Sequence, residues 1–444
     1  MADFALSPDD IATLAEDFNA DSCARQAQNA VTTTDVLQVT LDRRVVTSID
    51  TSMSHQLDTW GASNQKRSGR CWLFSGLNLL RAHVIESLNL DSFEFSQNYL
   101  HFWDKLEKAN WFLTAMIDLA DRDIDERTVH ELLRDPTNDG GQWDMFVSLV
   151  LKHGLLPKYA MPETESSSNT RSMNASLAAL LRRGARDVRA AVANGDDVDA
   201  VRRNLMKQVY RVLAIHLGTP PASFIWQWRD KDKNFHREGE MTPQEFAAKV
   251  VDIDLAQYVC LVNDPRPTSP YGAVFTVDRL GNVVGGRPVT YLNAPAEMLR
   301  ELASKRIVDG QPVWFGCDCG QQFDRTLGYW DEKLHDFDAF YGVSLSMNKS
   351  DRMTFGEEAM NHAMLFTGVD LMDDGTARRF RVENSWGPDI ADKGFDTMNA
   401  NWFCEHVFEV AVPLSDLSDE WRAKLDGATP IVLPLWDPMG SLAD

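Results

Sequence analysis

Apolar positions recur at helical spacing through much of the first half of the chain and at strand spacing through the second. Pro8 to Phe18 predicts a short helix, and the run Val36-Leu-Gln-Val-Thr-Leu41 alternates in the manner of a β-strand. Helices then dominate to about residue 135. Leu73, Leu77, Leu80 and Val84 share one face of a helix running from Cys71 to Glu86, and Ser96 opens a second through Tyr99, Leu100, Trp103 and Leu106. The Ser-rich stretch Glu163 to Thr170 reads as a surface loop. Helices near 174–190 and 196–216, with Arg/Asp faces, suggest an inserted helical subdomain. Thr242-Pro-Gln-Glu245 has the form of a helix start, with Pro at the first helical position and Glu closing a capping box.

From Tyr258 onward the pattern becomes that of strands: Tyr258 to Val262, Gly272 to Val277, Val313 to Gly316, Ala363 to Val369 and Arg379 to Glu383. No repeat is evident. A helical half, a helical insertion and a β-rich half predict an α+β fold, not a doubly wound parallel sheet.

Composition narrows the class. With 444 residues, 44% apolar and 25% charged, the chain has the make-up of an ordinary globular protein. No window reaches the roughly 18 apolar residues of a membrane helix. The opening ten residues have neither a basic start nor an apolar core, so no secretory leader is expected there. The six cysteines are too sparse for a disulfide framework, which points to the cytoplasm. A net charge of −22 repels DNA and anionic membranes, so neither is an expected partner.

The chemistry centres on Asn64-Gln-Lys-Arg-Ser-Gly-Arg-Cys-Trp-Leu-Phe-Ser75. A thiol at a helix start feels the positive end of the macrodipole, which favours the nucleophilic thiolate, so Cys71 is the candidate nucleophile. A lone cysteine is more often a small buried hydrophobe; the residues around Cys71 reverse that reading. A cysteine nucleophile also needs a base, an orienter for the base and donors for the oxyanion. His362 heads an apolar strand, Met372-Asp-Asp-Gly375 supplies a turn, and Phe380, Val382, Asn384 and Trp386 alternate on the returning strand. A hairpin centred near Asp373 sets Asn384 beside His362, where its amide oxygen can hold one imidazole N–H. Gln65 can reach the same point as the Cys71 backbone N–H, forming an oxyanion hole. Trp386 can shield the Asn–His bond from water. Cys317-Asp-Cys319 lacks a second ligand pair and reads as reduced cysteines, and no metal or cofactor is expected.

These residues resemble the papain superfamily in order and type. Longer stretches are similar to the bleomycin hydrolase/aminopeptidase C family: Gln65-Lys-Arg-Ser-Gly-Arg-Cys-Trp-Leu-Phe74, Ser96-Gln-Asn-Tyr-Leu100, Trp103-Asp-Lys-Leu-Glu-Lys-Ala-Asn110, Asp139-Gly-Gly-Gln-Trp-Asp-Met145, Val313-Trp-Phe-Gly-Cys-Asp318 and Leu435-Trp-Asp-Pro-Met-Gly440. The resemblance spans nearly the whole chain. It implies a two-lobed papain-like fold and thiol-dependent aminopeptidase activity on peptides with a free N-terminus, with bleomycin-hydrolase-like amide hydrolysis beside it. It also implies a homohexamer. In its terms, 1–64 is an N-terminal extension and 65–160 the helical lobe. Residues 161–257 form an insertion for oligomer contacts, 258–430 the β-rich lobe, and 431–444 an arm in the cleft. Substrate contacts are then expected from Gly140 and Gly141, from Asn361 and Ala363 beside the base, and from Trp386. The terminal carboxylate, on Ala443 or Asp444, would face the substrate amine. Asn361 stands where the family pattern has Thr, and Cys319 where it has an aliphatic residue. The competing readings are a papain-like endopeptidase with the same triad and a non-catalytic nucleic-acid-binding oligomer.

Overall fold

Strands Val313–Cys317 and His362–Leu371 pair antiparallel and are buried along almost their whole length. Because side chains alternate across a strand, Trp314, Ala363 and Leu365 fall into one apolar core, while Val313, Phe315, Cys317, Met364 and Phe366 fall into another. The sheet is therefore a layer with a core on each face. A computed structural model describes residues 4–441 and shows the α+β architecture built on that layer.

The sheet has 12 strands among the described residues. Its centre runs Tyr258–Val262, Val407–Pro413, Val313–Cys317, His362–Leu371, Ala377–Glu383 and Phe395–Asn399. Helices Ala296–Val308 and Ala400–His406 contribute Leu299, Ile307, Trp402 and Phe403 to the core on one face. The helical lobe packs on the other face. Its central helix, Cys71–Ser87, is buried on nearly every side, beyond the single apolar face that the periodicity suggests. At Gly76 an added Cβ would lie 2.8 Å from the Phe146 ring, so this helix and Trp143–His153 pack closer than any side chain would allow. Ser75 Oγ donates to Ala363 O at 3.1 Å, joining the helix to the sheet.

Three sequence expectations change. Val36–Thr40 is a helical turn, not a strand, because Asp35 caps it by accepting from the Leu37 N–H. The Ser-rich segment is not a free loop: Thr164 and Ser167 close a capping box on the turn Glu165–Ser168, and Glu163 takes a bidentate bond from buried Arg70. Segment 161–257 carries the expected helices, Arg171–Asn194 and Val198–Leu217, but also the hairpin Phe224–Arg229/Phe235–Met241. Pro243–Val250 begins with the predicted Thr242/Glu245 box.

One buried carboxylate links these pieces. Asp139 accepts from Lys105 at 2.6 Å, Asn174 at 2.8 Å, the Gly69 N–H at 3.2 Å and the Thr170 hydroxyl. Burial alone would raise its carboxyl, but Lys105, His101 and the Thr170 bond outweigh that and hold it well below the usual range. Asp139→Ala leaves the Lys105 ammonium buried without its counter-ion. It should cost about 3–5 kcal/mol of stability, read as a lowered urea midpoint, with Asp139→Asn losing less.

Candidate active site

Cys71 is the first residue of its helix, and Arg70 caps the helix through backbone geometry alone. No acidic side chain lies in the first turn, so the dipole end is left to the thiol. The Ala363 N–H donates to Cys71 Sγ at 3.4 Å, which brings the strand headed by His362 against the thiol. His362 Nε2 lies 3.1 Å from Asn384 Oδ1. Asn384 Oδ1 also accepts from the Ser385 N–H at 2.9 Å, and Nδ2 donates to Asp396 at 3.3 Å. That set of partners fixes the amide with its oxygen toward the imidazole. Nε2 is then the protonated nitrogen, leaving Nδ1 free to accept a proton.

The register differs by one step from the sequence expectation. Leu365 pairs with Glu383 and Phe366 with Val382, which centres the hairpin on Asp374. A regular ladder would set Trp386 opposite His362, but the strand ends at Glu383 and the chain turns there. Asn384 thereby meets the imidazole, and the Trp386 ring lies 5.3 Å from that of His362, with Arg325 stacked on it at 4.2 Å.

Gln65 arrives by a route the sequence does not announce. The Gln65 N–H donates to Ser385 O at 2.8 Å and the Gly387 N–H to Ser63 O at 2.9 Å, so a short antiparallel bridge joins the loop before Cys71 to the segment after Asn384. The Gln65 side chain is buried. Its Oε1 accepts from the Ser385 hydroxyl and its Nε2 donates to Ser68 O at 2.5 Å, leaving one Nε2–H for another acceptor. Ser385 is thus a functional neighbour that sequence reasoning missed, although it lies inside the Asn384-Ser-Trp-Gly387 motif.

Burial pushes the Cys71 thiol up to about 12, against the Ala363 and first-turn amides, which pull it down. Burial likewise pushes His362 down to about 4, against its bond to Asn384. Neither group ionises alone. A proton passed from the thiol to the imidazole would make both charges together, with no net charge added to the site.

Gly140 and Gly141 sit beside the nucleophile helix. Trp72 Nε1 donates to Asp139 O at 2.8 Å, and a Cβ on Gly141 would lie 2.5 Å from the Trp72 ring. Lys108 Nζ holds Gly140 O, and Gly141 makes no backbone hydrogen bond to another described residue. The side chain of Asn361 is committed elsewhere: Nδ2 donates to Asp318 at 2.7 Å and Oδ1 accepts from the Cys319 N–H at 3.0 Å. Cys317 is buried and Cys319 half-buried, and among the described residues no group of three or more His, Cys, Asp or Glu is placed to hold a metal.

The C-terminal segment packs beside Gly140 and Gly141, along a cavity that Cys71 and His362 do not themselves line. Ile431–Leu433 adds in parallel to Val274–Val277. Asp437 takes a bidentate bond from Arg266 at 2.9 and 3.0 Å, Trp436 lies under Arg127 at 3.9 Å, and Met439 is buried. The Met360 N–H, two residues before His362, donates to Pro438 O at 3.3 Å. A cavity of about 800 Å³ lies between Gly140, Gly141 and the arm residues Asp437, Pro438, Gly440 and Ser441. Ala443 and Asp444 lie outside the described residues.

Fold and site together define a papain-like cysteine peptidase. The match is also found across the chain: the Peptidase C1-like family model covers residues 5–440, and this protein belongs to that family. Human bleomycin hydrolase is 43% identical over 456 residues, with 100% of each chain covered. Aminopeptidase C of Streptococcus thermophilus is 41% identical over 442 residues, with 99% of each covered. The crystal structure of pepw from Lactobacillus rhamnosis superposes with a TM-score of 0.97 at 39% identity, over 99% of this chain and 100% of that one.

Ser385→Ala should free the Gln65 amide from its orienting bond. The expected result is a several-fold lower kcat with little change in KM, whereas Gln65→Ala should lower kcat by roughly 10- to 1,000-fold. Steady-state kinetics on an aminoacyl-arylamide would separate the two, and a Gln65→Ala effect confined to KM would remove the oxyanion role.

Proposed function

We propose that Cys71, His362 and Asn384 of this cysteine aminopeptidase remove single residues from the free N-terminus of peptides through an acyl-enzyme. His362 Nδ1 takes the thiol proton as Cys71 Sγ attacks the scissile carbonyl, forming a C–S bond. Gln65 Nε2–H and the Cys71 backbone N–H receive the oxyanion. The imidazolium returns its proton to the leaving amine as the C–N bond breaks, leaving a thioester. Water, deprotonated by His362, then breaks the C–S bond and releases the N-terminal residue. Asn384 keeps Nε2–H occupied throughout. By the same chemistry the enzyme would hydrolyse an accessible amide of the bleomycin class, as the human relative's name describes for that protein.

The observation that carries the exopeptidase reading is the arm beside the cavity, anchored two residues from His362 and facing Gly140 and Gly141. An extended peptide pairing with the unused Gly141 backbone would run toward the arm, and the arm would block a longer N-terminal extension. A terminal carboxylate on Ala443 or Asp444 would attract the substrate ammonium within a partly enclosed cleft. An endopeptidase with the same triad would need this end of the cleft open.

Removing residues 441–444 should leave Cys71 alkylatable, lower turnover of an aminoacyl-arylamide, and admit its N-acetylated form, which the intact enzyme should refuse. A truncated enzyme that still demands a free amine would end the ruler assignment.

Assembly follows the same family reading, with a homohexamer in a reducing cytoplasm. Leu205 and Val209 cannot supply the contacts, since both are buried within the chain's own core. Better candidates are Ile215, Ile225 and Phe235, which are 72%, 57% and 51% exposed within segment 161–257. Light scattering should report a multiple of 50.0 kDa; a monomer at micromolar concentration would refute assembly.

A further inference from the structure

We propose that Asp396 is a positioning residue for catalysis: it holds the Asn384 amide by its Nδ2 and sets a carboxylate behind the imidazole that must carry the proton. The proposal rests on the Cys71–His362 reading above and adds a fourth member to it. Asp396 lies on strand Phe395–Asn399, opposite Val382, and the Asn384 N–H continues the ladder to Gly394 O at 3.2 Å. Two strands therefore lock the backbone positions of the amide and the acid relative to each other.

The orientation of Asn384 depends on this contact. As placed, Oδ1 accepts from His362 Nε2–H and the Ser385 N–H, and Nδ2 donates to the carboxylate. Turning the amide over would set Nδ2–H against two other donors and Oδ1 against the carboxylate. The contacts to Ser385 and Asp396 would become repulsive, and His362 would have to take its other tautomer. Removing Asp396 takes away the one partner that requires an NH2 on that side.

The carboxyl is also costly to bury. Asp396 is 3% exposed and makes no salt bridge among the described residues. The turn above it carries Gly328, where an added Cβ would lie 2.7 Å from Asp396 Oδ1, and Arg325, whose guanidinium covers the outer face of Trp386. The groups facing the acid are Asn384 and Trp330, with Arg325 as the charged one; His362 stands beyond Asn384. A purely structural acceptor at this point would need no charge. Burial raises the carboxyl to about 7, with Asn384 and then Trp330 and Arg325 drawing it down.

The sign of the effect follows. Arg325 disfavours the imidazolium, and an ionised Asp396 behind Asn384 favours it. As pH rises through the acid's titration, the charge appears behind His362, favours the imidazolium made when the thiol passes its proton over, and raises the pH at which the Cys71–His362 pair loses that shared proton. The alkaline limb of activity is thereby extended. Asp396→Asn keeps the shape and an acceptor oxygen but removes the charge. Asp396→Leu removes both.

The test is the pH profile of kcat/KM on an aminoacyl-arylamide, for wild type and both variants, normalised by the fraction of Cys71 alkylated by iodoacetamide in peptide maps. Cys23, which is exposed, serves as the reference thiol. In Asp396→Asn the alkaline limb should move down by about 0.5–1 pH unit, since the charge sits one residue behind the histidine. In Asp396→Leu, kcat should fall about 10-fold further with KM unchanged, in line with a lost orienter. Near-ultraviolet dichroism of each variant reports folding independently. If folded Asp396→Asn keeps the wild-type alkaline limb, the proposal is overturned. If iodoacetamide labels Cys71 in wild type without loss of activity, the underlying nucleophile assignment fails instead.

Discussion

The Asp139 carboxylate is buried where three other stretches of chain converge on it, and each brings it at least one donor. Gly69 belongs to the loop before the nucleophile, Lys105 to the long helix Gln97–Asp118, and Thr170 and Asn174 to the start of the insertion. Its own carbonyl oxygen holds the Trp72 indole, one residue past Cys71. A buried ion pair is weak evidence for net stability, because well-packed apolar groups often do as well. Its value here is geometric. The next two residues are Gly140 and Gly141, so the same carboxylate that anchors the nucleophile's loop sets the distance from the thiol to the wall of the cleft. Lys108 repeats the device one helical turn later, bonding Asp104, Asn138 and Gly140 O.

The groups proposed to react come from three stretches far apart in sequence: Gln65 to Cys71, His362 to Ala363, and Asn384 to Trp386. Each joins its neighbours through backbone as well as side chain. Ser63 and Gln65 pair with Gly387 and Ser385, and the Ala363 N–H reaches the thiol while Ala363 O takes the Ser75 hydroxyl. Backbone contacts of this kind leave few rotamers to adjust, which suits a proton transfer that needs donor and acceptor within hydrogen-bond reach. Burial disfavours both a lone thiolate at Cys71 and a lone imidazolium at His362, so in the proposed mechanism the two charges would have to form together.

How much of this was legible depended on whether the signal was local. The helix at Cys71 and the apolar strand after His362 are written in short periodic runs, and Asn384 follows from the hairpin between them to within one step of register. The α+β class came from the change of periodicity near Tyr258, whereas the papain-like form and the thiol aminopeptidase reading came from long motifs. The faces of the central strands were not legible: both sides of Val313–Cys317 are buried, so the alternation that usually marks an inner face is missing. Val36 to Leu41 looked like a strand because its apolar residues alternate, and the Asp35 cap decided otherwise. Ser385 could have been found from its place between Asn384 and Trp386, and Lys108 from Trp103-Asp-Lys-Leu-Glu-Lys-Ala-Asn110. Asp396 gave no such sign, since its place behind Asn384 exists only once the third strand has paired.

The arm is held by contacts that leave the proposed reacting groups untouched. Its two strongest anchors lie on opposite lobes. Arg266, braced by Asp264 and the fork to Asp437, belongs to the β-rich side, whereas Arg127, stacked on Trp436, begins a helix of the helical side. Bracing matters because a guanidinium already held by Asp264 loses little further freedom when Asp437 of the arm arrives. The fork is only partly exposed, so its charges are weakly screened compared with a surface pair. Trp436 contributes differently, as a flat apolar body with a cation on its face. The short strand Ile431–Leu433 adds direction more than affinity, since three residues on a sheet edge bury little. Direction is nevertheless what the cleft requires. With the strand fixing the approach and the two arginines fixing the crossing point, Asp437, Pro438, Gly440 and Ser441 are laid along the cavity that Gly140 and Gly141 also line.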